Sequence, residues 1–215
     1  MKSDRPSREQ ADKPRLGLRE RKRLRTRQSI LTAAQELFHR QGIDGAAMES
    51  IAEMADISIA SLYNYFPSKD VLLAEIIEEG IREFTSTTDH LTRKKYPNAI
   101  AGYIALSKCH FQWFDTVDRS WLRRFSAHAL MRVDSASESY SSIEALLQAE
   151  VHRMSEALEQ QGLLNAKDVD ISTLSTLVWS IANAEFYAYV VDEDLLCRHI
   201  CKRLSVYFSM LKPLQ

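Results

Sequence analysis

The apolar residues of this chain recur mainly with the period of an α-helix. The first such pattern follows a basic run that begins at Arg19. We expect its helix to end at Gly42, because glycine readily adopts the left-handed conformation that closes a helix. Its apolar positions would form one helix face: Ile30, Leu31, Ala34, Leu37 and Phe38.

Two shorter patterns follow, separated by a three-residue turn at 56–58. The first covers residues 48–55, and the second runs from Ile59 to about Tyr65, before Pro67. Ser58 is a natural N-cap for the second segment, since its hydroxyl can accept a hydrogen bond from a free backbone N–H. Two short helices joined by such a turn form a helix-turn-helix.

Longer helical patterns fill the rest of the chain. Ser68 should cap a helix that ends near His90 or Lys95. Further segments are predicted at 98–116, 118–132, 137–161, 168–191 and 193–212. The 6 glycines and 5 prolines are few for a 215-residue chain, which favours long helices over a β-sandwich. The predicted fold is all-α, with about nine helices.

These patterns divide the chain into three parts. Residues 1–18 are polar, contain two prolines and lack an apolar period, so we predict a flexible basic arm. Residues 19–67 form a three-helix helix-turn-helix domain, and residues 68–215 form a larger helical domain.

Charge is distributed unevenly along the chain. Residues 1–28 carry eleven Lys and Arg against four Asp and Glu, a net charge of +7, so the remainder sums to −8 within a total of −1. A basic end beside a folded module attracts a polyanion such as DNA. A solvated tail that only aids solubility is the alternative, and charge alone does not separate the two.

Composition favours a cytoplasmic protein. Three cysteines are too few for a disulfide framework, and the N-terminal end lacks the apolar stretch of a signal peptide. Residues 171–191 are long enough to span a bilayer, but Glu185 and several Ser and Thr residues would be costly there. We therefore expect a buried helix and no membrane segment.

The second short helix presents a polar outer face. Its exposed positions are short polar side chains and one phenol: Ser58, Ala60, Ser61, Tyr63 and Asn64. Short side chains let a helix sit deep in the major groove, where Asn pairs with adenine and an alanine methyl contacts thymine. Ala60, Ser61 and Asn64 are therefore the predicted base readers.

The stretch from Gly42 to Asp70 closely resembles the DNA-binding signature of TetR-family transcriptional regulators. The matching positions are Ile51-Ala52, Ala55, Ser58, Leu62-Tyr63, Tyr65-Phe66 and Ser68-Lys69. With the preceding helix, the resemblance covers about residues 20–75. It implies a sequence-specific DNA-binding regulator, and we expect a repressor that a small-molecule effector releases from its operator.

The resemblance also implies further DNA contacts. Tyr63 and Lys69 would contact phosphates. Ala47 and Met48 would lie against DNA at the start of the first short helix. Tyr65 would either contact a phosphate or pack on the following helix.

Three residues depart from the family pattern. Thr is common where Ala46 and Ala47 stand, so a helix cap and a phosphate contact are missing. Asp56 occupies the turn position that Gly usually holds. Asp tolerates the left-handed conformation better than most residues, but it places a negative charge near DNA.

By the same resemblance, residues 68–215 bind the effector and form a two-fold homodimer through the last two helices, 168–191 and 193–212. Both helices carry apolar residues on more than one face, as expected if a second face meets a partner helix. A dimer of this kind would match a palindromic operator of double-stranded DNA.

Polar or aromatic side chains on otherwise apolar helices are the candidates for effector contacts. They are His110, Trp113, His128, Met131, Trp179, Asn183, Glu185 and Phe186. Each aromatic residue could instead be ordinary core, and Glu185 could be exposed or paired at the dimer interface. The identity of the effector stays open, and no cofactor is expected.

There are two alternative interpretations. An enzyme would need a motif such as a Gly-rich phosphate loop, a nucleophile elbow or His-Glu-x-x-His, and the sequence contains none, so we expect no enzyme. The alternative is a DNA-binding dimer controlled by a protein partner, which predicts a filled interior, or by metal or thiol chemistry. Cys197 and Cys201 lie one helical turn apart, but two thiolates make only half of a tetrahedral site, so no metal site is predicted.

Overall fold

A computed structural model describes residues 17–131, 136–164 and 170–211. Helices account for all regular structure in these ranges, which confirms the predicted all-α fold. They are α1 (Leu18–Gly45), α2 (Met48–Met54), α3 (Ile59–Tyr65), α4 (Lys69–Thr87), α5 (Asp89–Thr92), α6 (Ala99–Phe114), α7 (Arg119–Met131), α8 (Ala136–Gln160), α9 (Ile171–Val191) and α10 (Cys197–Ser209). The single turn of α5 is the one described helix without a predicted counterpart, and nearly all of the predicted arm lies outside the described residues.

The chain forms two compact units, Met1–Tyr65 and Phe66–Gln215. In the first, α2 packs on α1 and on α3. The predicted apolar face of α1 is buried, and Ile51 and Leu62 are fully buried with it. α1 is interrupted at the predicted Gly42, whose φ of 72° and ψ of 165° suit glycine, and a short stretch continues to Gly45.

The turn between α2 and α3 depends on two polar residues. Asp56 adopts a φ of 55°, the left-handed conformation that a tight turn requires at this point. The hydroxyl of Ser58 accepts a hydrogen bond from the N–H of Ser61 at 3.1 Å, so the predicted cap of α3 is confirmed. At the start of α2, by contrast, Ala47 provides no side-chain cap.

In the second unit, α8 packs on α4, α6, α7 and α9, while α10 packs on α6 and α9. Three of these helices begin with a side-chain cap. Ser68 accepts from the N–H of Val71 on α4, and equivalent bonds to Asn98 and Asp170 cap α6 and α9. None of the described helices is long and apolar enough to cross a membrane.

Two predicted boundaries in this unit were wrong. α4 ends at Thr87, before His90, and the chain turns into α5. α10 begins at Cys197 instead of residue 193, because the preceding segment forms a turn. In that turn, the N–H of Leu195 donates to the Asp192 carbonyl at 3.2 Å, and the N–H of Asp194 donates to the Asp192 side chain at 3.0 Å.

Candidate functional site

The outer face of α3 carries the predicted base readers. Ala60, Tyr63 and Asn64 are exposed, and Ser61 is half-buried. Their spacing of three and four residues places Ala60, Tyr63 and Asn64 on one face, opposite the fully buried Leu62. This face offers one amide, one phenol and one methyl, which are groups that can contact base edges and phosphates.

At three other predicted contacts, the side chain is either already hydrogen-bonded or half-buried. Ser58 is exposed, but its oxygen accepts the capping hydrogen bond described above, which leaves its O–H free to donate. Tyr65 is half-buried at the end of α3. Lys69 belongs to the second unit, where it is half-buried as the first residue of α4.

The prediction that Met48 contributes its side chain to the DNA-binding face needs correction. Met48 is 7% exposed and belongs to the buried face of α2 with Ile51 and Ala52. Only its backbone N–H, at the start of α2, can reach a phosphate. The neighbouring Ala47 is exposed, as a surface contact requires.

The first turns of α1 carry a high positive charge. Five of the residues from 19 to 25 are exposed Lys or Arg, and Glu20 is the acidic residue among them. Such a cluster binds polyanions without sequence preference and makes the binding depend on salt.

The second unit contains a cavity between α4, α6, α7, α8 and α9. Its free volume is about 40 Å³, which is enough for only a few water molecules at about 10–15 Å³ each. Most of its wall is apolar: Ile77, Ile81, Phe111, Phe114, Leu122, Phe125, Ile143 and Leu147. An apolar pocket with a few polar groups is the usual form of a small-molecule site.

Polar groups enter this wall at two places. Tyr140 lies beside Asn183, and its hydroxyl is 2.5 Å from that of Tyr187. Burial raises the pKa of Tyr140, with further contributions from Tyr187 and the charge of Glu144, so the phenol stays neutral. Elsewhere in the wall, His110 Nε2 lies 2.8 Å from the buried carboxylate of Glu150.

The cavity brings together four of the eight predicted effector contacts: His110, Trp179, Asn183 and Phe186. Tyr140 and Glu144 were missed. The signal that could have identified them is the apolar stripe of α8, because Tyr140 and Glu144 flank Ile143 and Leu147 at intervals of one to four residues.

The other four predicted effector contacts lie elsewhere. Trp113 packs on Gly80, where an added Cβ would lie 2.8 Å from its ring. His128 Nε2 lies 3.3 Å from Asp70 Oδ1. Met131 is exposed at the end of α7, and Glu185 is buried in an ion pair with Arg203 of α10. These four side chains do not line the cavity.

The cysteines do not form a recognisable metal centre. The sulfur atoms of Cys197 and Cys201 are 3.9 Å apart, and burial raises the pKa of Cys197 to about 12. Thiols that remain protonated are weak nucleophiles and weak ligands. No group of three or more His, Cys, Asp or Glu residues within the described ranges has a geometry that could hold a metal ion.

The first unit is similar in sequence to known bacterial regulators, as its helix-turn-helix structure suggests. Residues 30–76 match the family model described as bacterial regulatory proteins, tetR family. The HTH-type transcriptional regulator LuxR of Vibrio harveyi is 31% identical over a region covering 46% of this chain and 55% of LuxR. The chain thus spans about half or less of the length of the curated relatives it matches.

Solved structures extend the similarity in fold to both units. One, described as a TetR-family transcriptional regulator from Mesorhizobium loti, has a TM-score of 0.63 at 18% identity, covering 87% of this chain and 96% of that one. Another is the regulator FadR from Bacillus subtilis in complex with stearoyl-CoA, with a TM-score of 0.59 at 14% identity and coverage of 83% and 97%. Residues 30–76 thus match the tetR family of bacterial regulatory proteins, and both units share the fold of solved TetR-family regulators.

Proposed function

We propose that this protein is a sequence-specific DNA-binding repressor that a small-molecule effector releases from its operator. The exposed face of α3 carries the proposal, because Ala60, Tyr63 and Asn64 project from a short helix that the core holds at Leu62. The basic first turns of α1 add attraction to any DNA sequence, and α3 supplies the selection between sequences.

The proposed homodimer forms through α9 and α10. Each helix buries one apolar face, with Leu174 and Val178 in α9 and Leu204 and Phe208 in α10. Apolar side chains are also exposed on or directly beside these helices: Leu177, Val191, Leu196, Val206, Tyr207 and Met210. A second apolar face favours a partner helix, which a second copy of the chain can supply with two-fold symmetry.

The proposed effector site is the cavity of the second unit. Its apolar wall and few polar groups support a small organic ligand over a protein partner, which would need no internal cavity. FadR, which shares this fold, was solved with stearoyl-CoA. Because the free volume is small, the effector must displace side chains such as the half-buried Phe186 and thereby shift the population of conformations.

Selection from a random DNA library tests the DNA-binding proposal directly. The full-length protein should enrich a palindromic sequence, and Tyr63→Phe combined with Lys69→Ala should weaken binding and reduce its salt dependence. The control is Lys95→Ala, which removes an exposed positive charge outside the proposed contacts. Failure to enrich any sequence, or equal effects of the two variants, would contradict the proposal.

A further inference from the structure

The charge of the cavity wall restricts the ligands that it can bind. Among the described residues, the wall contains one carboxylate, that of Glu144, and no lysine or arginine. An organic anion in this cavity would lose its hydration and meet a negative charge without gaining a cationic partner. The wall therefore disfavours carboxylates, phosphates and sulfonates.

His110 does not supply the missing positive charge. Its Nε2 lies 2.8 Å from Glu150, a carboxylate that is 3% exposed and also accepts a hydrogen bond from Thr88. The imidazole is therefore already paired with a buried carboxylate. Arg153 approaches Glu150 to 3.7 Å, but its side chain is 45% exposed and does not line the cavity.

Aromatic rings surround the same space. Phe114 and Phe186 pack with ring centroids 4.7 Å apart, and Phe125 and Tyr140 pack at 5.7 Å. Trp179 also lines the wall. The faces of aromatic rings carry partial negative charge and attract cations, with Trp the strongest. The ring faces and the carboxylate of Glu144 thus both favour a positively charged ligand.

We infer that this cavity binds a hydrophobic organic cation, such as a quaternary or protonated alkylammonium compound, with its charged group near Glu144 and its apolar part among the aromatic rings. The inference rests on the proposed function, since it assigns a chemical class to the effector. Tyr140 and Asn183 add neutral oxygen atoms that can accept hydrogen bonds from a protonated amine, and a quaternary ammonium group, which has no N–H, would be held by charge and ring faces alone.

Three probes of matched shape separate charge from hydrophobicity. Benzyltrimethylammonium is the cation, neopentylbenzene is its uncharged carbon isostere, and phenylmethanesulfonate is an anion of similar size. Isothermal titration of the full-length protein should show the cation binding about tenfold more tightly than the isostere, with no measurable binding of the sulfonate.

Glu144→Gln keeps the shape of the side chain and removes its charge. It should weaken binding of the cation about tenfold and leave the affinity for neopentylbenzene unchanged. Glu159→Gln is the matched control, because Glu159 is an exposed acidic residue of the same helix that does not line the cavity.

Several results would overturn the inference: absence of cation binding, binding of the sulfonate or the isostere as tightly as the cation, or equal loss in the two glutamine variants. None of them would affect the proposed DNA-binding function. That function fails separately, if the protein without any ligand enriches no DNA sequence.

Discussion

In the first unit, the predicted base readers lie outside the hydrophobic core. Ala60 and Asn64 are exposed on α3, while Leu62 between them is fully buried. In the second unit, several candidate contacts are themselves core residues, and Phe125 and Trp179 are no more than 8% exposed. Ala60 and Asn64 can therefore change with little loss of stability, whereas Phe125 and Trp179 cannot.

The largest expected effect is on the stability of the second unit. Phe125→Ala should lower the free energy of unfolding by about 3 kcal/mol, because it removes a buried ring and enlarges a cavity. Urea denaturation measures the change. Leu130→Ala on the same helix is the control, since Leu130 is 67% exposed and its loss should cost less than about 0.5 kcal/mol. Equal costs would show that the cavity wall is not packed core.

A negative charge introduced on the exposed face of α3 should weaken DNA binding without lowering the stability of the protein. Ala60→Glu places a carboxylate where DNA should lie, and we expect operator affinity to fall about 100-fold, measured by fluorescence anisotropy. The melting temperature should stay within about 1 °C, because Ala60 is exposed on a helix. Ala127→Glu, at an exposed alanine of α7, should leave both quantities unchanged. A similar loss of affinity in both variants would remove α3 from the DNA interface.

Local features of the first unit could be predicted because each depends on neighbouring residues. A serine before a helical pattern predicts its cap, and Ser58 acts in this way in the first unit, as Ser68 does at the start of α4 in the second. The residue in the family's glycine position predicts a left-handed backbone, which Asp56 adopts. Met48 was misjudged although its spacing of three and four residues from Ile51 and Ala52 predicts a shared buried face, which the structure shows.

The cavity could be predicted only in part, because it joins residues from five helices. Periodicity shows that Trp113, Trp179 and Phe186 lie on apolar helices, but it does not show which neighbouring helix each side chain packs against. Trp113 faces Gly80, and Glu185 faces Arg203. These partners are 33 and 18 residues away in sequence, so the helical pattern of one segment carries no information about them.

A smaller effect is expected at the turn between α2 and α3. Asp56→Gly should raise the free energy of unfolding by about 1 kcal/mol, since glycine adopts a φ of 55° without the steric cost of a Cβ. Asp56→Ala is the informative partner, because it keeps the Cβ and loses the local polar contacts that favour Asp in this conformation. It should lower stability by about 1 kcal/mol in the same denaturation experiment. Stabilisation by both variants would assign the effect to the lost negative charge instead of the backbone.

The smallest predicted effect concerns the missing cap of α2. Ala47 has the extended backbone of an N-cap, with φ −77° and ψ 145°, but its methyl group accepts no hydrogen bond. Ala47→Ser supplies an acceptor for the N–H of Glu49 or Ser50 and should stabilise the protein by about 0.5–1 kcal/mol. Ala46→Ser is the control of opposite sign, because Ala46 is fully buried and the new hydroxyl would lose its hydration, at a cost of about 1 kcal/mol. Opposite shifts in melting temperature from these adjacent alanines would locate the start of α2, and shifts of the same sign would contradict the assignment of Ala47 as the N-cap.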